Sequence, residues 1–184
     1  TKNLASFAVT DDGNLYVWGF ANASLPGRRY TTLEPKTLPV RVGFVNNVAD
    51  IVVGEAGALI LKKDGSVWAY GIGPVTKTVD GNWTKPVHLM DDVVEIATGP
   101  RHALALKKDG TVWSWGENDA GQLGDGTTNQ ANVAMPRAGG SLAGKTLVKV
   151  FGGYVHAFAL DSTGALHAWG TNDYGQLGNG NLAN

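Results

Sequence analysis

With no cysteine in the chain, disulfides and thiolate metal sites are excluded, and any chemistry must rest on histidines, carboxylates and aromatic side chains. His102 and His156 open the same short pattern, H-A-x-A-L, in two places. Elsewhere the equivalent positions hold Ala5 and Gly57. A catalytic base is needed once; a group repeated in successive structural units suits packing or a backbone hydrogen bond. Read as a hairpin closed by a tight turn, His156 and His167 fall on one face as a diagonal pair within reach of a metal, with no third ligand beside them. Asp12, Asp64 and Asp109 each precede a glycine and serve turn geometry, and Asp161 shifts its place within the same turn. The pair Asp91-Asp92 falls in a loop ahead of a strand and carries no acid–base argument. There is no nucleophile elbow, phosphate-cradling loop or zinc spacing, and the glycine-rich stretches lack a strand–helix context. The expectation is a non-enzymatic chain with no catalytic residue, cofactor or metal.

Binding is the other chemistry open to it. Trp68, Trp113, Trp115 and Trp169 belong to a repeated hairpin pattern and are expected in the core. Trp83, in the irregular D-G-N-W-T-K-P segment, falls outside that pattern and is a candidate exposed anchor. Loops at one rim supply the remaining candidates for partner contact: Arg101, Tyr154, Asn172, Asp173 and Tyr174, with Arg28, Arg29, Tyr30 and Asn118-Asp119 nearby in pattern. Asn22-Ala23-Ser24 and Asn82-Trp83-Thr84 are glycan acceptor sequons, meaningful only in a eukaryotic secretory host.

The elements that position these residues repeat. His102–Gly116 reads as two short strands around a Lys-Asp-Gly turn, and the unit recurs at Ala5–Gly19, Gly57–Gly71 and His156–Gly170. The turn glycines Gly13, Gly65, Gly110 and Gly164 are 52, 45 and 54 residues apart, a spacing that marks a repeat architecture. A tight reversal at Asp109-Gly110 sets Leu106 opposite Thr111 and Leu104 opposite Trp113. One face is then bulky (His102, Leu104, Leu106, Trp113, Trp115) and the other small (Ala103, Ala105, Val112, Ser114). The same reading puts Phe158, Leu160 and Trp169 opposite Ala157, Ala159 and Ala168. Sheets of that kind stack large face on small. An apolar run stopped by glycine precedes three of the hairpins (Val48–Gly54, Val93–Gly99, Leu147–Gly153). Proline-marked segments around Pro39-Val40, Pro86-Val87 and Pro136 follow as edge strands. Four strands in about 50 residues fit a propeller blade. The expected fold is all-β, a partial propeller of about four blades, with repeat units near 1–47, 48–92, 93–146 and 147–184. The first lacks its leading strand and the last its closing one, so the native protein is expected to be longer, or a partner chain completes the ring.

After the third hairpin comes E-N-D-A-G-Q-L-G-D-G (Glu117–Gly126), and after the fourth T-N-D-Y-G-Q-L-G-N-G (Thr171–Gly180). Together with Gly99, His102, Leu106, Asp109, Gly110, Trp115 and Gly116, and with Gly153, His156, Leu160, Gly164, Trp169 and Gly170, these resemble the repeat of the regulator of chromosome condensation family. The first two units match loosely. The resemblance implies a seven-bladed propeller. Members of that family include a guanine-nucleotide exchange factor, parts of ubiquitin ligases, a plant light sensor, a secreted bacterial inhibitor of β-lactamase and many bacterial surface proteins. It therefore implies a scaffold for protein–protein or cell-surface recognition; exchange on a small GTPase and carbohydrate binding are its alternatives. The short Lys-Lys-Asp-Gly turns and low charge look most like the bacterial secreted or surface members, so an extracellular or cell-surface location is expected, with the cytoplasm as the alternative. A formal charge of −1 without a long basic or acidic run argues against nucleic acid, and no stretch nears the ~20 apolar residues of a membrane helix. The expected partners are a protein or the remaining blades, in the same gene or another chain.

Overall fold

Apolar alternation on either side of each turn folds, in all four copies, as an antiparallel hairpin. The computed structural model describes residues 4–20, 36–43, 45–55, 57–71, 86–137 and 142–183. Among them, the first sheet holds β1 (Leu4–Val9), β2 (Leu15–Phe20) and β3 (Lys36–Arg41). The second holds β4 (Val48–Val53), β5 (Gly57–Lys62), β6 (Val67–Gly71) and β7 (Val87–Met90). The third is β8 (Val93–Thr98), β9 (His102–Lys107), β10 (Val112–Gly116) and β11 (Ala131–Arg137). The fourth is β12 (Leu147–Gly152), β13 (His156–Asp161) and β14 (Leu166–Gly170). Strands in each sheet neighbour one another in chain order. The proline-marked strands β3, β7 and β11 are edges, as a residue without a ladder donor requires.

The hairpin register differs from the expected one by a single residue. Leu106 pairs with Val112, Ala105 with Trp113, Leu104 with Ser114 and Ala103 with Trp115. The cause is the turn, which is a three-residue loop and not a two-residue reversal. Gly110 N–H donates to the Lys107 carbonyl (3.0 Å) and Lys107 N–H to that of Thr111 (2.9 Å), with Gly110 at φ +81°. One extra residue moves one strand's whole side-chain set to the opposite face. His102, Leu104 and Leu106 therefore share a face with Val112 and Ser114, while Trp113 and Trp115 join Ala103 and Ala105. In the fourth sheet Trp169 pairs with Ala157, and Phe158 with Ala168. The bulky-face, small-face division is thus replaced by a mixed one. His167 pairs with Ala159, so His156 and His167 lie on opposite faces and form no metal pair.

Large still meets small, strand by strand. In the unit spanning residues 93–184, Leu104 and Leu106 of the third sheet pack with Ala157, Ala159, Val150 and Trp169 of the fourth. In the unit spanning 1–92, Phe7, Val9 and Leu15 of the first sheet meet Ile51, Ile60 and Tyr70 of the second. The second arrangement repeats the first, with Ile60 in the place of Ala159, Phe7 in that of Leu104 and Ala58 still matching Ala157.

Within each unit the backbone also joins neighbouring sheets. The carbonyl of the turn glycine accepts from the first residue of the next sheet: Gly13 from Val48 (3.0 Å) and Gly110 from Leu147 (3.0 Å). At the opposite end of β12, Gly152 lies so close to β8 that an added Cβ would sit 2.5 Å from the Thr98 carbonyl carbon. Gly152→Ala should therefore destabilise the protein by about 1–3 kcal/mol, since backbone must move. Gly43→Ala, where a Cβ meets nothing within 4 Å, should stay within about 0.5 kcal/mol. Chemical denaturation of the two variants checks the contrast.

Candidate functional site

The histidines and the turn carboxylate of the fourth sheet are tied into the fold. His102 is 1 % exposed and its ring lies over Gly99, where a Cβ would come within 2.3 Å of Cε1. His156 lies over Gly153 in the same way. His102 Nε2 and His156 Nδ1 are buried without a hydrogen-bond partner. Burial, and next the charge His156 would carry, lower the His102 pKa from 6.5 to about 4.

His167 answers to Asp161 instead. Two other hairpins place a lysine over a tryptophan ring, Lys62 on Trp68 and Lys107 on Trp113, each 5.1 Å from the centroid. The fourth puts Asp161 and His167 at those two positions, with Oδ2 and Nε2 2.9 Å apart. Thr163 donates to Asp161 Oδ1 through its N–H (2.9 Å) and hydroxyl (2.6 Å), and Ala165 N–H adds a bond of 3.0 Å. The bond from His167 first, then those from Thr163, hold the Asp161 carboxyl well below the usual carboxylate range, against the cost of burial. This pairing escaped sequence reading, although the exchange of Lys/Trp for Asp/His at fixed spacing was there to signal it.

The exposed polar and aromatic candidates gather at one end of the third and fourth sheets. There β8 turns into β9, β12 into β13, and β10 and β14 run out into their long loops. Glu117 N–H donates to the Arg101 carbonyl (2.9 Å) and Thr171 N–H to that of Val155 (3.0 Å), tying turn to loop in both sheets. Arg101 is exposed and ion-paired with Glu117 at 2.8 Å. Tyr154 is 75 % exposed and Tyr174 92 %. Asp173 is exposed beside Tyr174. Asn172, by contrast, is wholly buried. Its Nδ2 donates to the carbonyls of Asn181 (2.9 Å) and Ala183 (2.8 Å), and its Oδ1 accepts from Leu177 N–H (3.0 Å). It shapes the loop that presents Asp173 and Tyr174. Asn118 does the same one sheet earlier, donating to Thr127 and Asn129 carbonyls (2.9 and 3.0 Å) and accepting from Leu123 (2.8 Å). Gln122 and Gln176 complete the two loops by accepting from Ala120 (2.9 Å) and Tyr174 (2.8 Å). Trp83, Arg28, Arg29, Tyr30 and both glycan sequons lie outside the described residues.

A cleft of about 800 Å³ opens at this same end, between the loop after β10 and the last residues of β14. Trp169 forms one wall, its indole N–H donating to the Gln122 carbonyl (2.9 Å). Gly124 packs against that indole, where a Cβ would lie 2.8 Å from Nε1. Asp119, Thr128, Asn129 and Asn179 supply polar groups around the wall.

His102 sets an acid limit on the fold. Because its folded pKa lies below the unfolded one, its stabilisation is complete above pH 6.5 and lost as pH falls toward 4. The loss should be on the order of 3 kcal/mol, with more to come below pH 3.8 as Asp161 takes up a proton. Urea midpoints measured between pH 6.5 and 4 should fall for the native chain and flatten for His102→Gln.

Two family models, each describing the regulator of chromosome condensation (RCC1) repeat, match this chain, one at residues 109–160 and the other at 93–122 and 147–176. The human E3 ubiquitin-protein ligase HERC2 is 34 % identical over 184 residues, covering 95 % of this chain and 4 % of that protein. The Arabidopsis thaliana ultraviolet-B receptor UVR8 is 29 % identical over 177 residues, covering 95 % of this chain and 29 % of the receptor. Among solved structures, Prp20p of Saccharomyces cerevisiae superposes with a TM-score of 0.77 at 23 % identity, over 95 % of this chain and 43 % of that one. Human WBSCR16 superposes with a TM-score of 0.76 at 21 % identity, over 100 % and 50 %. The chain spans half or less of each of these relatives. Repeated turn, glycine-stopped inner strand and asparagine-locked loop agree with those matches: residues 93–176 match regulator of chromosome condensation repeats, and the sheets fold as propeller blades.

Proposed function

We propose that this chain is part of a seven-bladed propeller that recognises a protein partner through the rim carrying Arg101, Tyr154, Asp173 and Tyr174, without catalysing a reaction. The observation that carries this reading is the pairing of exposed aromatic tips with loops fixed from inside. Tyr174 sits 92 % exposed on a loop whose buried Asn172 makes hydrogen bonds across its whole length. Holding a large side chain in water on a rigid support cuts the ordering cost of binding, and tyrosine is favoured at binding hot spots. Arg101, oriented by Glu117, adds a directional charge to the same end. His102 and His156 are packed over glycines inside the sheets, and His167 is paired with Asp161.

Two solved structures of one relative, yeast Prp20, support partner binding. One structure is of yeast RCC1 (Prp20) bound to Kap60, and another is described with its binding to Gsp1p and histones. Nucleotide exchange on a small GTPase is the second reading, on the strength of the family resemblance alone. An extracellular or cell-surface location belongs to the proposal and has the low charge and short turns in its favour.

A photo-crosslinking amino acid at Tyr174 or Tyr154 should trap a discrete partner from the native host, whereas the same probe at Lys108 or Ser162, at the hairpin-turn end, should not. Trapping confined to the turn end would overturn the choice of rim. Accelerated nucleotide release from a host GTPase by catalytic amounts of the chain would replace scaffolding with exchange.

A further inference from the structure

We propose that Asn179 is a site of spontaneous deamidation, a covalent modification that adds a negative charge to the loop after β14 and leaves its frame in place. The inference does not depend on partner binding by the rim. In the sequence, Asn179 is the one asparagine followed by glycine. Deamidation begins when the next residue's backbone nitrogen attacks the side-chain carbonyl carbon, and glycine, lacking Cβ, obstructs that approach least. Asn179 and Gly180 are both exposed, and a Cβ at Gly180 would meet nothing within 4 Å. Among the described residues no backbone carbonyl accepts from Gly180 N–H, so no main-chain bond must break before that nitrogen loses its proton. The openness belongs to the repeat and not to the loop's place in the chain. Gly126 holds the same position in the loop after β10, with the fourth sheet following it, and is exposed in the same open surroundings.

The reaction balances with water alone. Hydroxide takes the Gly180 N–H proton, the nitrogen bonds to Asn179 Cγ, and the Cγ–Nδ2 bond breaks to release ammonia. Water then opens the five-membered imide at one of its two carbonyls. Opening at Cγ restores the backbone with aspartate at this position; opening at the main-chain carbonyl gives isoaspartate. The preceding repeat already holds the first product. Asp125 occupies the equivalent position, and its Oδ1 accepts from Thr127 N–H (3.0 Å), the Thr127 hydroxyl (2.9 Å) and Asn118 Nδ2 (3.3 Å). Asn179 uses its own Oδ1 in the same way, accepting from Asn172 Nδ2 (3.1 Å) and Asn181 N–H (3.3 Å). A carboxylate keeps that oxygen, so the loop accommodates the exchange. The new charge joins Asp173 on the same loop, in a chain whose formal net charge is only −1.

The test incubates the folded chain in mildly alkaline and in mildly acidic buffer and maps every asparagine by peptide mass spectrometry. The mass gain of an amide-to-acid exchange should appear at Asn179, faster in alkali. It should be absent from buried Asn118 and Asn172 and from Asn181, which is exposed but followed by Leu182. Gly180→Ala should slow the gain by at least about tenfold. Hydroxylamine, which attacks the imide, should cut the incubated native chain between Asn179 and Gly180. Asn179→Asp, made directly, should melt at the native temperature. No gain at Asn179 in alkali overturns the proposal, as does a gain no faster than that at Asn181 or one that Gly180→Ala leaves unchanged. A lowered melting temperature for Asn179→Asp overturns the claim that the loop's frame survives.

Discussion

Leucine against alanine across two sheets is the contact on which the rest depends. Leu104 and Leu106 occupy space that Ala157 and Ala159 leave open, and all four are at most 2 % exposed. The fit lets the inner strands close until Gly152 touches the backbone of Thr98, the point at which any side chain would stop the approach. The same closeness buries His102 over Gly99 and makes its protonation costly. Stability, acid sensitivity and the geometry of the rim are therefore consequences of one packing distance.

The loops extend that order outwards. A long connection with so many glycines has considerable freedom to lose on folding. A buried carboxamide offsets the loss by serving as donor to two carbonyls and acceptor from one N–H. Asn118 and Asn172 hold their loops alike, so the differences between those loops lie in the residues facing outwards: Ala120 in one, Tyr174 in the other. A fixed frame with exchangeable tips is suited to recognition.

Much of this was readable in the chain. The repeat, the number of sheets, the edge position of the proline strands and the structural part played by His102 followed from pattern and spacing. The face assignments did not, because Lys-Asp-Gly fits both a two-residue reversal and a three-residue loop. The choice between them lies in the backbone angles around Gly110, and one residue of slip exchanges every neighbour. Asn172 was read as a surface residue since its buried bonds run to main-chain carbonyls at 181 and 183, which leave no mark in residue identity. The cleft was invisible for a related reason: its walls lie some fifty residues apart.

The bond from a turn glycine carbonyl to the first residue of the next sheet sets the pitch between blades independently of the chain between them. Six residues separate Arg41 from Val48 and nine separate Arg137 from Leu147, yet Gly13 and Gly110 accept the same bond at 3.0 Å. Stacking is thus uncoupled from linker length, leaving evolution free to lengthen or shorten the connectors without disturbing the neighbouring sheets.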